Sequence, residues 1–173
     1  MRNILFTLLI FCLASCQSKR AVQLHTVLSN SERAVFNIMV GKNGPNERKH
    51  HCIIDGDFKC ALQAVDDKER AFNTVINKIN AVETNDIKYG NDLKKAAISY
   101  YNALKQFEIS DRQEIALQQL SHDKTNTAQV RDSAMAKQLQ LLNKKQEMRQ
   151  LIDKKESQLA EIQKQFNSVN HLD

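Results

Sequence analysis

Residues able to do chemistry crowd into one short stretch, His50-His51-Cys52-Ile53-Ile54-Asp55-Gly56-Asp57-Phe58-Lys59-Cys60. Imidazole and thiolate are the donors that zinc and copper prefer. His50 and His51 are therefore the candidate metal ligands, with Cys52, Asp55, Asp57 and Cys60 nearby. The spacing fits no standard site, because C-x-x-C, C-x-x-C-H and H-E-x-x-H are all absent. Asp55-Gly56-Asp57 opens like a calcium loop, but the acidic positions that should follow are missing. Two thiols eight positions apart have two further fates, a disulfide or a pair of free buried thiols.

Other candidates are weaker. Ser121-His122-Asp123 sets the residue types of a catalytic triad side by side, whereas a triad needs them to converge from separate elements. There is no G-x-S-x-G and no glycine-rich phosphate loop. Tyr100 and Tyr101 read as core and rim of a helix rather than as a ligand platform. No catalytic residue and no cofactor is expected.

A third thiol has a different setting. Arg2 is followed by an apolar run from Ile4 to Leu13, then by Ala14, Ser15 and Cys16. Such a charged, apolar, small-residue series is a secretory signal. The run is about ten residues long, whereas a membrane-spanning helix needs about twenty. Leu13-Ala14-Ser15-Cys16 resembles the lipobox of bacterial lipoproteins. The resemblance implies that the Cys16 sulfur receives a diacylglyceryl group, that residues 1–15 are removed, and that the chain is held by two or three acyl chains, a firm anchor. In the family's sorting rule an aspartate after the cysteine retains the protein in the inner membrane. Gln17 stands there, so an outer-membrane destination is implied. That would place Cys52 and Cys60 outside the cytoplasm, where disulfides persist, and their pairing is the expected fate. The closed loop is short, so the bridge would contribute roughly 2–3 kcal/mol at most.

The elements that position these groups are helical. The 173 residues hold four glycines, one proline and no tryptophan, and Ala, Leu, Gln, Lys and Ile are plentiful, a helix-forming composition. The formal net charge is +5. Basic and acidic residues interleave, as in Asp66-Asp67-Lys68-Glu69-Arg70, which reads as solvated helix face. A nucleic-acid surface needs clustered Lys and Arg with aromatic residues between them, and neither is present.

After a polar tether over 16–20, apolar periodicity predicts helices over 21–40, 57–83, 93–120 and 128–169. Leu24, Leu28, Ser31, Val35 and Ile38 mark the first stripe. Phe58, Leu62, Val65, Phe72, Ile76 and Ile79 mark the second, interrupted by Glu69. Leu93, Ala97, Tyr100, Leu104 and Phe107 mark the third. Ile152, Leu159, Ile162, Phe166 and Val169 mark the fourth, continued less cleanly by Leu139 and Leu142. Gly41 is a natural stop for the first helix, and Asp57 an N-cap for the second. Ser110-Asp111-Arg112-Gln113 is a capping box where the third helix could restart. The connection over 41–56 is long enough to be either functional or pinned.

The fold class is all-α: an antiparallel up-down four-helix bundle over 21–173 with a long C-terminal helix. It resembles, loosely, the small helical surface lipoproteins of unassigned activity. The expected role is that of an envelope lipoprotein, anchored to the membrane through Cys16, that serves as a non-catalytic binding or structural module for a protein or small-molecule partner and not for nucleic acid. Two alternatives are a small-molecule-binding bundle resembling extracytoplasmic sensors, which would need polar groups such as Ser31 or Glu69 in the core, and a periplasmic helical chaperone.

Overall fold

The computed structural model describes residues 2–172, with side chains described from Lys19 to Leu172. Cys16 and the signal segment 1–15 therefore lie outside the described side chains. Six α-helices and no strand form among the described residues: α1 (Arg2–Val40), α2 (Pro45–Ile54), α3 (Phe58–Asn80), α4 (Gly90–Ile109), α5 (Asp111–His122) and α6 (Ala128–Asn170). Lys19 and Arg20, assigned above to a tether, lie on α1 and are exposed.

Four rods in up-down-up-down order make the body: α1, α3, α4 continued by α5, and α6. Cross-links fix the antiparallel directions. Lys105 Nζ reaches Asn73 and Lys94 Nζ reaches the Val82 carbonyl between α4 and the α3 end. Lys155 Nζ reaches Ser99 Oγ, and Asn170 reaches the Lys88 carbonyl from α6. At 43 residues, α6 spans about 65 Å at 1.5 Å per residue.

The expected long connection holds a helix of its own. Pro45 starts α2 at its first turn, where the missing N–H is not needed. The turn before it is tight: a Cβ on Gly41 would stand 2.4 Å from the Asn37 carbonyl oxygen. Past α2, Gly56 takes φ +73°, the left-handed region that glycine enters freely. Asp57 then caps α3, its carboxylate accepting from the Cys60 N–H at 2.9 Å. The third rod does break at Ser110, but not through a capping box. Ser110 keeps helical angles, makes no side-chain cap, and donates its hydroxyl back to the Phe107 carbonyl at 2.6 Å.

The main core joins Leu24, Leu28 and Val35 of α1 to Phe72, Val75 and Ile79 of α3, Leu93 and Leu104 of α4, and Phe166 of α6. Smaller clusters lie toward the other end: Cys52, Ala61, Val65 and Ile115 in one, Leu117, Ala134 and Leu141 in the other. Two details of the expected stripes are corrected. Tyr101, not Tyr100, is the buried tyrosine, and Leu141 faces inward while Leu139 and Leu142 face solvent. In each case the inward position is in phase with the rest of its helix, whereas the expected ones lie one or two residues off that phase.

Phe72 and Phe166 are fully buried and Phe36 is largely exposed. Substitution of either core phenylalanine by alanine is expected to lower unfolding stability by about 3–5 kcal/mol, and Phe36→Ala by less than about 0.5 kcal/mol. Urea unfolding checks this, and equal losses at all three positions would contradict the helix phases.

Candidate functional site

The stripes that build the core carry charge through one level of the bundle. On α3 the buried series is Ala61, Val65, Lys68, Phe72, Val75 and Ile79. Along α4 and α5 it is Leu93, Ala97, Tyr101, Leu104, Glu108, Asp111 and Ile115. On α6 it is Ala134, Leu141, Lys145, Ile152 and Phe166. α2 adds Lys49. At this level α1 has ended, and α2 takes its place against α3.

Asp111 is the hub. Its Oδ2 accepts from Lys49 Nζ at 2.5 Å and from Lys68 Nζ at 3.1 Å, and its Oδ1 accepts from Lys145 Nζ at 2.7 Å. Lys68 has no solvent exposure. Its ammonium also donates to Glu108 Oε2 at 2.6 Å and to Asn46 Oδ1 at 3.1 Å, so all three donors are used. Lys145 completes the group by pairing with Glu114. Three lysines thus meet three carboxylates, and the cluster is neutral. Asp111 also sits in the first turn of α5, where the helix dipole favours an anion.

Burial alone would raise the pKa of Asp111. Hydrogen bonds from Lys145 and Lys49, with the charge of Lys68, outweigh it and hold the carboxyl well below the usual carboxylate range. Lys145 shows the mirror image: burial opposes its charge, but its bonds to Asp111 and Glu114 prevail and raise its pKa. An outer ring of ion pairs surrounds the level. Arg112 spans Asp66 at 2.7 Å and Glu69 at 2.8 Å, and Asp67 pairs with Arg48 and Arg70. Phe107 lies beneath Lys145 Nζ at 5.7 Å and the Arg149 guanidinium at 5.2 Å, both within cation–π reach. The shallow cleft beside the cluster is lined by Gln106, Ser110, Arg112 and Lys144, not by the buried ions. Lys68 and Asp111 are fully engaged within this network, and Glu114 lies at its partly exposed edge.

The residues singled out from the sequence fall beside this level. Cys52 and Cys60 are joined in a disulfide with their Cα atoms 5.6 Å apart, tying the end of α2 to the start of α3. His50 and His51 are exposed on α2. Burial and the neighbouring Lys49 ammonium lower the pKa of His50. Among the described residues no three His, Cys, Asp or Glu side chains are placed to hold a metal ion together. Asp55 and Asp57 are exposed. The Ser121, His122 and Asp123 group stays at the surface: the Ser121 hydroxyl and the His122 Nδ1 both lie at hydrogen-bond distance from the Gln118 carbonyl, and Asp123 accepts from Thr125. Ser31 is buried, but its hydroxyl is spent on the Val27 carbonyl at 2.7 Å. Glu69 belongs to the outer ring with Arg112. The five buried ions were not anticipated, although Lys68 stands three positions after Val65 and four before Phe72, in phase with the stripe.

A second feature lies lower in the bundle. α1 packs on α3 and α4, and α6 packs on α4 and α5, but α1 and α6 hardly meet. The open seam is a cleft of about 420 Å³ with Tyr100 and Tyr101 at its floor and Glu32 and Glu156 among its walls.

No protein-family model, curated protein or solved structure matches the chain.

The sign of the pH dependence follows from Asp111. Its folded-state pKa lies below the unfolded value of about 3.9, so the stabilisation is present above about pH 4 and is lost as pH falls below it. Asp111→Ala is expected to cost about 3–5 kcal/mol at neutral pH, because it leaves buried ammonium groups uncompensated, and to flatten the acid slope. Urea unfolding from neutral pH to about pH 3 checks both, and an unchanged acid slope in the variant would contradict the hub role.

Proposed function

We propose that this chain is a lipid-anchored module of the bacterial envelope that binds a partner and catalyses nothing. Leu13-Ala14-Ser15-Cys16 at the end of an apolar run is the observation that carries the reading. It supports acylation at Cys16, removal of residues 1–15 and delivery to the outer membrane. The Cys52–Cys60 disulfide supports an oxidising compartment. Among the described residues no helix is long and apolar enough to cross a membrane. The closed state of the buried ions supports a non-catalytic body.

A second reading, a helical envelope chaperone, is favoured by one observation. Met135, Leu139 and Leu142 form an exposed apolar row along α6, with each side chain more than half exposed.

Cells expressing the full chain are expected to incorporate a palmitate analogue into this protein and to hold it in the membrane fraction. Cys16→Ala is expected to lose the label and to leave that fraction. Unlabelled wild type, or a Cys16→Ala chain that stays with membranes, would overturn the anchor.

A further inference from the structure

The seam between α1 and α6 is an open cleft. Its walls are two helical faces at regular spacing. His25, Leu28, Glu32 and Val35 come from α1, and Glu156, Leu159, Ala160 and Gln163 from α6. Its floor is the Tyr100–Tyr101 pair of α4, with ring centroids 5.1 Å apart. At about 420 Å³ it falls in the size range of small-molecule sites.

Its charge runs against the rest of the chain. The formal net charge is +5, yet no lysine or arginine lines the cleft and two glutamates do. Neither Glu32 nor Glu156 makes an ion pair or hydrogen bond among the described residues, in contrast to the saturated carboxylates at Asp111. The nearest lysine in sequence, Lys155, is directed to Ser99 Oγ at 2.6 Å. The two glutamates come from opposite walls and both act on one phenol: burial raises the pKa of Tyr100, and Glu156, Glu32 and Asp153 raise it further. Exposed carboxylates at the rim of a cleft floored by tyrosine rings favour a cation that carries an apolar body.

We propose that the α1–α6 seam binds a small organic ammonium ion, its cation between Glu32 and Glu156 and its apolar part against Tyr100, Leu28 and Leu159. The site rests on reading the body as a binding module and names its ligand class. It does not depend on the anchor, which the Cys16→Ala fractionation tests separately.

The experiment is a titration of the full-length chain with benzyltrimethylammonium, followed by tyrosine emission. The chain has three tyrosines and no tryptophan, and two of the three line the cleft, so the signal reports the site. A saturable change is expected, weakened by salt. E32Q/E156Q, at solvent-facing positions, is expected to bind about tenfold more weakly while melting at the wild-type temperature. Neutral benzyl alcohol at equal concentration should give no saturable change. Three results would overturn the proposal: no saturable change in wild type, equal binding by E32Q/E156Q, or equal binding of the alcohol.

Discussion

The upper half of this molecule depends on one carboxylate accepting from three lysines. Asp111 draws α2, α3 and α6 onto the start of α5 through Lys49, Lys68 and Lys145. The groups it gathers are expensive to bury singly, and their mutual neutralisation is what makes the burial tolerable. The break at Ser110 has its role here. It places Asp111 in a first helical turn, where the helix dipole favours an anion.

The ionic level divides the apolar interior into a large core around Phe72 and Phe166 and two small ones around Cys52 and Leu117. Burying hydrophobic side chains holds helices together but tolerates sliding. Buried charges do not. A one-turn slip of α6 would move Lys145 about 5.4 Å, away from both Asp111 and Glu114 and against apolar neighbours. The level thus sets the register of the long helix, the use of buried polar groups best attested in helical assemblies. The Cys52–Cys60 bridge acts on the same end by fixing α2, the element that supplies Lys49. A firmly registered frame lets α1 and α6 part lower down without loss of alignment, and their open seam carries the unpaired glutamates.

The helices, their order and the long C-terminal rod were legible because Gly41, Gly56, Gly90 and Pro45 all fall between periodic runs. α2 was not, since ten residues with one polar half give little periodicity. The ionic level was hidden for a different reason. Lys68 sits in the run Asp66-Asp67-Lys68-Glu69-Arg70, which looks like solvated face, and only its phase with Val65 and Phe72 marks it as internal. Glu69, one position on, drew attention as the interruption, and it lies at the surface. Glu108 and Asp111 continue the phase of Leu104 toward Ile115 in the same way. A charge read by its neighbours in sequence appears exposed, whereas the same charge read by helix phase is buried. The cleft depends on α1 and α6, whose residues are far apart in sequence, so no local pattern could show it.

The most direct measurement is the titration of the Asp111 carboxyl carbon by NMR in the full-length chain. The account predicts that this carbon keeps the shift of a carboxylate throughout the usual titration range and changes only when acid unfolds the protein. A reversible midpoint near the unperturbed value of about 3.9, with the fold intact, would contradict the hub and the register argument built on it.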